Sequence, residues 1–314
     1  MILLFRKSTA RLLRRLIKNR LTQRLLRALQ LQNRGEHRGC AVLLFVCSVL
    51  FAVRSGGEMI IKKSPAEIEA MKVSGELSAR VLREVGARCV PGVSTYELDA
   101  FAEEYIRANG GIPTFKGYYG YPASLCASIN NEIVHGIPSK KKILHEGDII
   151  SIDIGATVDG WAGDNAWTFA VGSIEPEWQR LLDVTEQCLW EGIAAAQPGG
   201  HVGDIGFAVS RVAKEARFGV VRGYTGHGIG RDMHEDPFVP NVGLRHTGSK
   251  LEVGMVLAIE PMITLGSPHT QEAADGWLVT TKDGSVAAHF EKTIAITKNG
   301  PVLVSVEPGH RRPV

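Results

Sequence analysis

From Met59 onward the sequence predicts an α/β fold built of two related halves, and three observations predict it. Segments with a helical repeat of apolar residues alternate with short β-branched runs along the whole stretch. The punctuation Pro91-Gly92 followed by Glu97-Leu98 returns as Pro198-Gly199 followed by Asp204-Ile205, every position displaced by 107 residues. The composition, with 44% hydrophobic, 22% charged and 7% aromatic residues among 314, is that of a globular chain long enough to bury a sizeable core. Disorder, collagen-like repeats and a disulfide scaffold are thereby excluded. The five cysteines, Cys40, Cys47, Cys89, Cys126 and Cys188, form an odd set with no C-x-x-C pair, which fits a reducing compartment and offers no zinc ribbon. Two related halves would leave a site in the cleft between them.

Residues 1–58 need a separate account. They hold 12 Lys and Arg against Glu36 and Glu58, a net of +10, which leaves −7 for the rest of a chain whose total is +3. An acidic body argues against direct nucleic-acid binding by the part that follows. The run of 14 apolar or small residues from Cys40 to Val53 is short for a membrane span, which needs about 20. The basic stretch before it is too long for a signal peptide, and Phe51-Ala52-Val53 offers no small-residue cleavage site. As a signal anchor it would send the remainder out of the cell. Gly56-Gly57-Glu58 can be encoded by GGAGGNGAR, which contains a bacterial ribosome-binding sequence. The expectation is therefore a leader, mis-assigned or disordered, over 1–58 and a catalytic domain over 59–314.

The elements follow in order. Ser64-Pro65-Ala66-Glu67 is a capping box with Pro at the first helical position, and Ile68, Met71, Leu77, Val81 and Val85 supply the stripe. Ser94-Thr95-Tyr96-Glu97 caps a second helix with Leu98, Phe101, Ala102 and Tyr105 on one face, stopping at Gly110-Gly111. Asp159-Gly160 suits a two-residue turn between Ile149 to Ile154 and Trp161 to Phe169. Pairing centred on that turn sets Gly155 opposite Asp164 and Asp153 opposite Ala166. The two aspartates then share a face as diagonal neighbours about 7 Å apart, within reach of a common metal ion. Ile150, Ile152 and Ile154 cover the other face, so the acids are not a solvated edge. Glu260 closes Met255 to Ile259, and Glu291 sits within Ala287 to Ile294. A buried unpaired carboxylate costs several kcal/mol, which asks for compensating cations. Histidines recur at His135, His227 and His234, and the glycines flanking His227 would open its ring to a ligand.

Taken together, His135-Gly136-Ile137-Pro138, the Asp153/Asp164 pair, Gly226-His227-Gly228-Ile229-Gly230-Arg231 with His234, Ile259-Glu260-Pro261 and Phe290-Glu291 resemble the bacterial type I methionine aminopeptidases. The match runs over about residues 59–306, in order and at the family's spacings. The resemblance implies a pita-bread fold of α+β type, with two pseudo-symmetric halves around a dinuclear metal site. It implies two divalent ions per chain, Co, Mn, Fe or Zn, bridged by Asp164 and Glu291, with Asp153 completing one and His227 with Glu260 the other. Such a set would activate water for attack on the peptide bond after the first residue. Glu260 would shuttle protons, His234 would stabilise the oxyanion and His135 would bond the scissile nitrogen. Tyr118, Tyr121, Cys126, Met233 and Trp277 would form the methionine pocket, ordinary core packing being the alternative for all five. The implied partners are nascent polypeptide N-termini at the ribosome, and the implied protein is a cytoplasmic monomer.

Departures from the family pattern are Met233, where an aromatic residue is usual, and His289 and Lys292 beside the last glutamate. Residues 1–58 lack the paired-cysteine zinc motif of extended forms. The competing enzyme is a proline-specific peptidase of the same fold, which usually carries a large additional N-terminal domain. A non-catalytic relative would have lost ligands, and all five are here.

Overall fold

Capping boxes set where the first two helices begin. In the computed structural model, which describes residues 59–309, Ser64 is extended, its hydroxyl accepts from the Glu67 amide and the Glu67 carboxylate accepts from the Ser64 amide at 2.8 Å. Such a cap contributes about 1 kcal/mol. The expectations for residues 1–58 lie outside the described residues. Helix α1 (Pro65–Gly86) buries the whole predicted stripe. Helix α2 (Thr95–Ala108) repeats the box with Ser94 and Glu97. Its buried line is Leu98, Ala102 and Ile106, at i, i+4 and i+8, and the predicted Phe101 and Tyr105 sit at the margin of the core.

Strands β1 (Ile112–Pro113), β2 (Leu125–Ile129) and β3 (Glu132–Val134) lead to the hairpin of β4 (Ile149–Val158) and β5 (Trp161–Ala170). Asp159 and Gly160 have φ of 50° and 76°, the positive values that a type I′ turn demands at both positions. The register sets Asp153 opposite Ala166 and Gly155 opposite Asp164, as turn-centred pairing requires. Along its other edge β4 pairs with β1 and β2, which brings Cys126 opposite Asp153.

After α3 (Pro176–Ala195) and α4 (Val202–Ala216) come short strands β6 (Gly219–Val220), β7 (Gly226–Gly228), β8 (Glu235–Val239), β9 (Val256–Ile259), β10 (Met262–Thr264), β11 (Thr270–Glu272), β12 (Val279–Thr281), β13 (Ala287–His289), β14 (Lys292–Thr297) and β15 (Gly300–Leu303). They form antiparallel sheets in the orders β15-β14-β9-β7-β8 and β13-β10-β6, while β3 joins β11 and β12.

The 107-residue repeat is structural. The Gly92 amide donates to the Leu144 carbonyl and the Gly199 amide to the Leu251 carbonyl, both at 2.8 Å. Thr95 donates to Lys142 at 2.9 Å and Val202 to Ser249 at 3.0 Å. The isolated bridges Ser94 with Ile143 and His201 with Lys250 obey the same displacement. So do the first residues of β4 and β9, Ile149 and Val256, and it carries Asp153 onto Glu260. Each half thus contributes one carboxylate from an equivalent place. Hydrogen bonds from the Glu291 amide to the Ala166 carbonyl (2.8 Å) and from the Thr293 hydroxyl to the Asp164 carbonyl (3.0 Å) lay the β13–β14 segment along β5. Among the described residues, no helix is long and apolar enough to cross a membrane.

Candidate metal centre

Asp164 is the hub on which the predicted ligands converge. Its carboxylate faces those of Asp153 and Glu291 and lies 3.6 Å from His227 Nε2. The Asn165 amide donates to Asp164 Oδ1 at 3.0 Å and holds the side chain in place. Glu260 comes from the second half, with Oε1 also 3.6 Å from His227 Nε2. Asp164, His227 and Glu291 are fully buried and offer ligand atoms within 4.8 Å of one another, while Asp153 and Glu260 are partly exposed.

The chemistry of this donor set fits divalent cations. His227 Nδ1 lies 2.8 Å from the Gly228 carbonyl, which can only accept, so Nδ1 carries a proton and Nε2 faces two carboxylates. Burial opposes a charge on that imidazole, yet Asp164 and Glu260 outweigh it and raise its pKa. Burial, then the neighbouring carboxylates, push Asp153 and Glu291 well above the usual carboxylate range. Asp153 Oδ1 and Glu291 Oε1 are buried without a hydrogen-bond partner. Among the described residues no Lys or Arg pairs with any of the four carboxylates. The Lys292 ammonium, whose pKa burial lowers to about 8, turns to the Asn165 side-chain oxygen at 2.8 Å. Four acids around a lone pair, with orphaned oxygens, need positive charge at their centre.

The glycines beside His227 do something other than expected. A Cβ on Gly226 would lie 2.2 Å from the Ala258 carbonyl oxygen, and one on Gly228 2.2 Å from that of Asp236. They admit close approach of β7 to β9 and to the start of β8, and so fix His227 rather than uncovering it.

His234 stacks on Tyr118 and lies with its ring 4.2 Å from that of His227. The Tyr118 hydroxyl is 2.9 Å from His234 Nδ1. The residue keeps an exposed edge, but desolvation of its ring against the surrounding side chains, with His227 and His135 nearby, lowers the His234 pKa, so the ring is neutral. His135 sits at φ 60°, edge-on to Tyr224, its pKa lowered by burial to about 4. The predicted pocket residues share one apolar cluster apart from the main core: Tyr121, Cys126 and Met233 are buried, with Tyr118 and Trp277 at its margin. Trp277 meets Tyr121 edge-on at 5.0 Å, and burial keeps the Cys126 thiol protonated.

Two further residues belong to these surroundings. His289 Nε2, buried and without a hydrogen-bond partner, faces Glu260 Oε2 at 3.6 Å. Its signal was available, since a residue two before Glu291 in an extended run shares its face. Tyr224, against His135, had no signal beyond its aromatic character.

Residues 69–298 match the family described as metallopeptidase family M24. The chain is 47% identical over 248 residues to the methionine aminopeptidase of Clostridium acetobutylicum, which covers 79% of this chain and 99% of the relative. It is 48% identical over 242 residues to methionine aminopeptidase 1 of Bacillus subtilis, covering 77% and 97%. The crystal structure of methionine aminopeptidase from Thermotoga maritima superposes with a TM-score of 0.78 at 42% identity, over 79% of this chain and 100% of that one.

Proposed function

The chain belongs to metallopeptidase family M24, and from that premise we infer that it is a methionine aminopeptidase, which hydrolyses the initiator methionine from nascent chains and peptides whose second residue is small. The observation that carries this reading is the convergence of Asp153, Asp164, His227, Glu260 and Glu291 on one buried, uncompensated cluster. Asp164, which touches Asp153, Glu291 and His227 alike, would hold two divalent cations together with those three residues and Glu260. Bound there, divalent ions of the Co, Mn, Fe or Zn type supply Lewis acidity and a water acidic enough to attack a peptide carbonyl.

The chain's own groups do the rest. Glu260, partly exposed beside His227, accepts the water's proton and delivers it to the leaving amine. With the Tyr118 hydroxyl donating into Nδ1, the neutral His234 keeps its proton on Nε2 and donates it as a hydrogen bond to the developing oxyanion. His135, also neutral, bonds the scissile nitrogen. Tyr118, Tyr121, Cys126, Met233 and Trp277 surround the methionine side chain, and the flexible Met233 makes a yielding wall. The catalytic unit is the polypeptide from Met59 onward. It acts as a monomer in the cytoplasm, on N-termini emerging from the ribosome.

The test is release of free methionine from Met-Ala-Ser by the metal-loaded protein, beside Leu-Ala-Ser, Met-Leu-Ser and N-formylated Met-Ala-Ser. The expected result is release from Met-Ala-Ser alone. Equal cleavage of the formylated peptide, or preference for an Xaa-Pro bond, contradicts the reading.

A further inference from the structure

We propose a second cation site, built of residues other than those of the first cluster, in which His201, Asp204 and His246 bind a single transition metal ion, with Zn(II) as the probe. Ligand atoms of the three side chains lie within 4.8 Å of one another. His201 Nδ1 is 3.9 Å from Asp204 Oδ2, and His246 Nδ1 is 3.9 Å from Asp204 Oδ1. The two rings stand nearly perpendicular with centroids 6.4 Å apart, so the nitrogens converge from different directions. His201 Nδ1 is shielded from solvent and has no hydrogen-bond partner.

The internal repeat makes the cluster stand out. Displaced by 107 residues, His201, Asp204 and His246 fall on Ser94, Glu97 and Ser139. In the first half the Ser94 hydroxyl closes the capping box, accepting from the Glu97 amide and donating to the Glu97 carboxylate at 2.6 Å. The second half keeps the outline of a capping box, in which the hydrogen bond formed is the reciprocal arm, from the His201 amide to Asp204 Oδ2 at 2.7 Å. Asp204 Oδ1 accepts from the His246 amide at 2.9 Å, so the carboxylate is pinned between both histidines while each oxygen keeps a lone pair. A capping serine suffices in one half, whereas the other gathers two imidazoles around the same carboxylate. Arg245, the neighbouring cation, lies over the Phe207 ring at 4.5 Å instead of entering the cluster.

Tetrahedral zinc with bonds of about 2.0–2.1 Å places its donors about 3.3 Å apart. Closing the carboxylate distances from 3.9 Å takes somewhat more than half an ångström each, and rotation of the exposed His246 ring brings in the third donor, with water at the open position. Two imidazoles and one carboxylate favour Zn, Cu or Ni over Mg or Ca. The ion would clip the loop after β8 to the start of α4. That loop includes Asn241, whose side-chain amide donates to the Glu260 carbonyl at 2.9 Å.

The experiment counts zinc bound to stripped protein after dialysis against micromolar free zinc. It compares wild type with the double variant His201→Ser/His246→Ser, which installs the residues of the first half. The expected result is one equivalent fewer in the variant, with methionine release unchanged and a smaller zinc-induced rise in Tm. His246→Ser alone, a change at an exposed side chain, gives the same loss if the double variant folds poorly. Equal zinc content in wild type and His246→Ser, or an additional equivalent that appears only at millimolar zinc, overturns the proposal.

Discussion

Asp164 touches three of the other four proposed ligands, so its removal reaches further than loss of one donor. Asp164→Ala or Glu291→Ala is expected to abolish methionine release together with metal binding, as read by elemental analysis of the purified variant. His234→Ala removes a neutral hydrogen-bonding ring instead. Its metal content should stay near that of wild type while turnover falls by roughly two to four orders of magnitude, the range for a positioned oxyanion or proton-transfer group. Metal loss comparable to that of Asp164→Ala would make His234 a ligand and refute its role. The five proposed ligands were legible in part from local pattern, since carboxylates inside Ile149–Ile154, directly after Val256–Ile259 and inside Ala287–Ile294 have no cheap explanation in apolar surroundings and Asp164 shares a hairpin face with Asp153, whereas His227 was assigned through the family resemblance. His289 was visible only as a departure from the family pattern. What it faces, Glu260, depends on β10 and β13 lying side by side, a pairing that no local pattern encodes.

Elements whose signals are local came out of the sequence with their register. The hairpin of β4 and β5 is fixed by two residues at its turn, and helices α1 and α2 start where their capping boxes do. The order β15-β14-β9-β7-β8 was not legible, since its inner pairings, β14 with β9 and β9 with β7, join segments distant in the chain and its strands are too short for periodicity to distinguish. The tight packing that requires Gly226 and Gly228 followed from that order, and so was missed as well. The capping boxes also carry a pH dependence. Hydrogen bonds from the Ser94 hydroxyl and amide lower the pKa of Glu97 below its ordinary value of 4.5, so the carboxylate contributes stability that is fully present above that value. The contribution is lost as pH falls through the lowered pKa. Urea unfolding of stripped protein should therefore show Glu97→Gln less stable than wild type at neutral pH, with the gap closing below pH 4.5. A gap of constant size down to acid pH would contradict the assignment.

At the scale of the molecule, a single displacement of 107 residues relates the loop bonds, the helix caps and the carboxylates Asp153 and Glu260, and a few matched residues sufficed to suggest it. Residues 59–64, directly ahead of α1, are bound into the same body by Lys63. Its ammonium pairs with Glu235, beside His234, and donates to the Ile61 carbonyl at 2.9 Å, both ionic side chains being at most 5% exposed. A chain begun at Met59 should keep full activity, whereas Lys63→Met should lower the unfolding free energy by about 3–5 kcal/mol by stranding the Glu235 charge. Unchanged stability in that variant, measured by urea unfolding, would contradict the buried pairing. Above these stands the claim that one buried set of acids and an imidazole holds the cations on which the whole activity rests. The direct measurement is methionine release from Met-Ala-Ser by protein stripped with chelator, with residual metal followed by elemental analysis, before and after titration with Mn(II) or Co(II). Stripped protein should release no methionine and should recover activity that saturates with bound metal, whereas full release from protein verified to be free of metal would contradict a metal-dependent reaction.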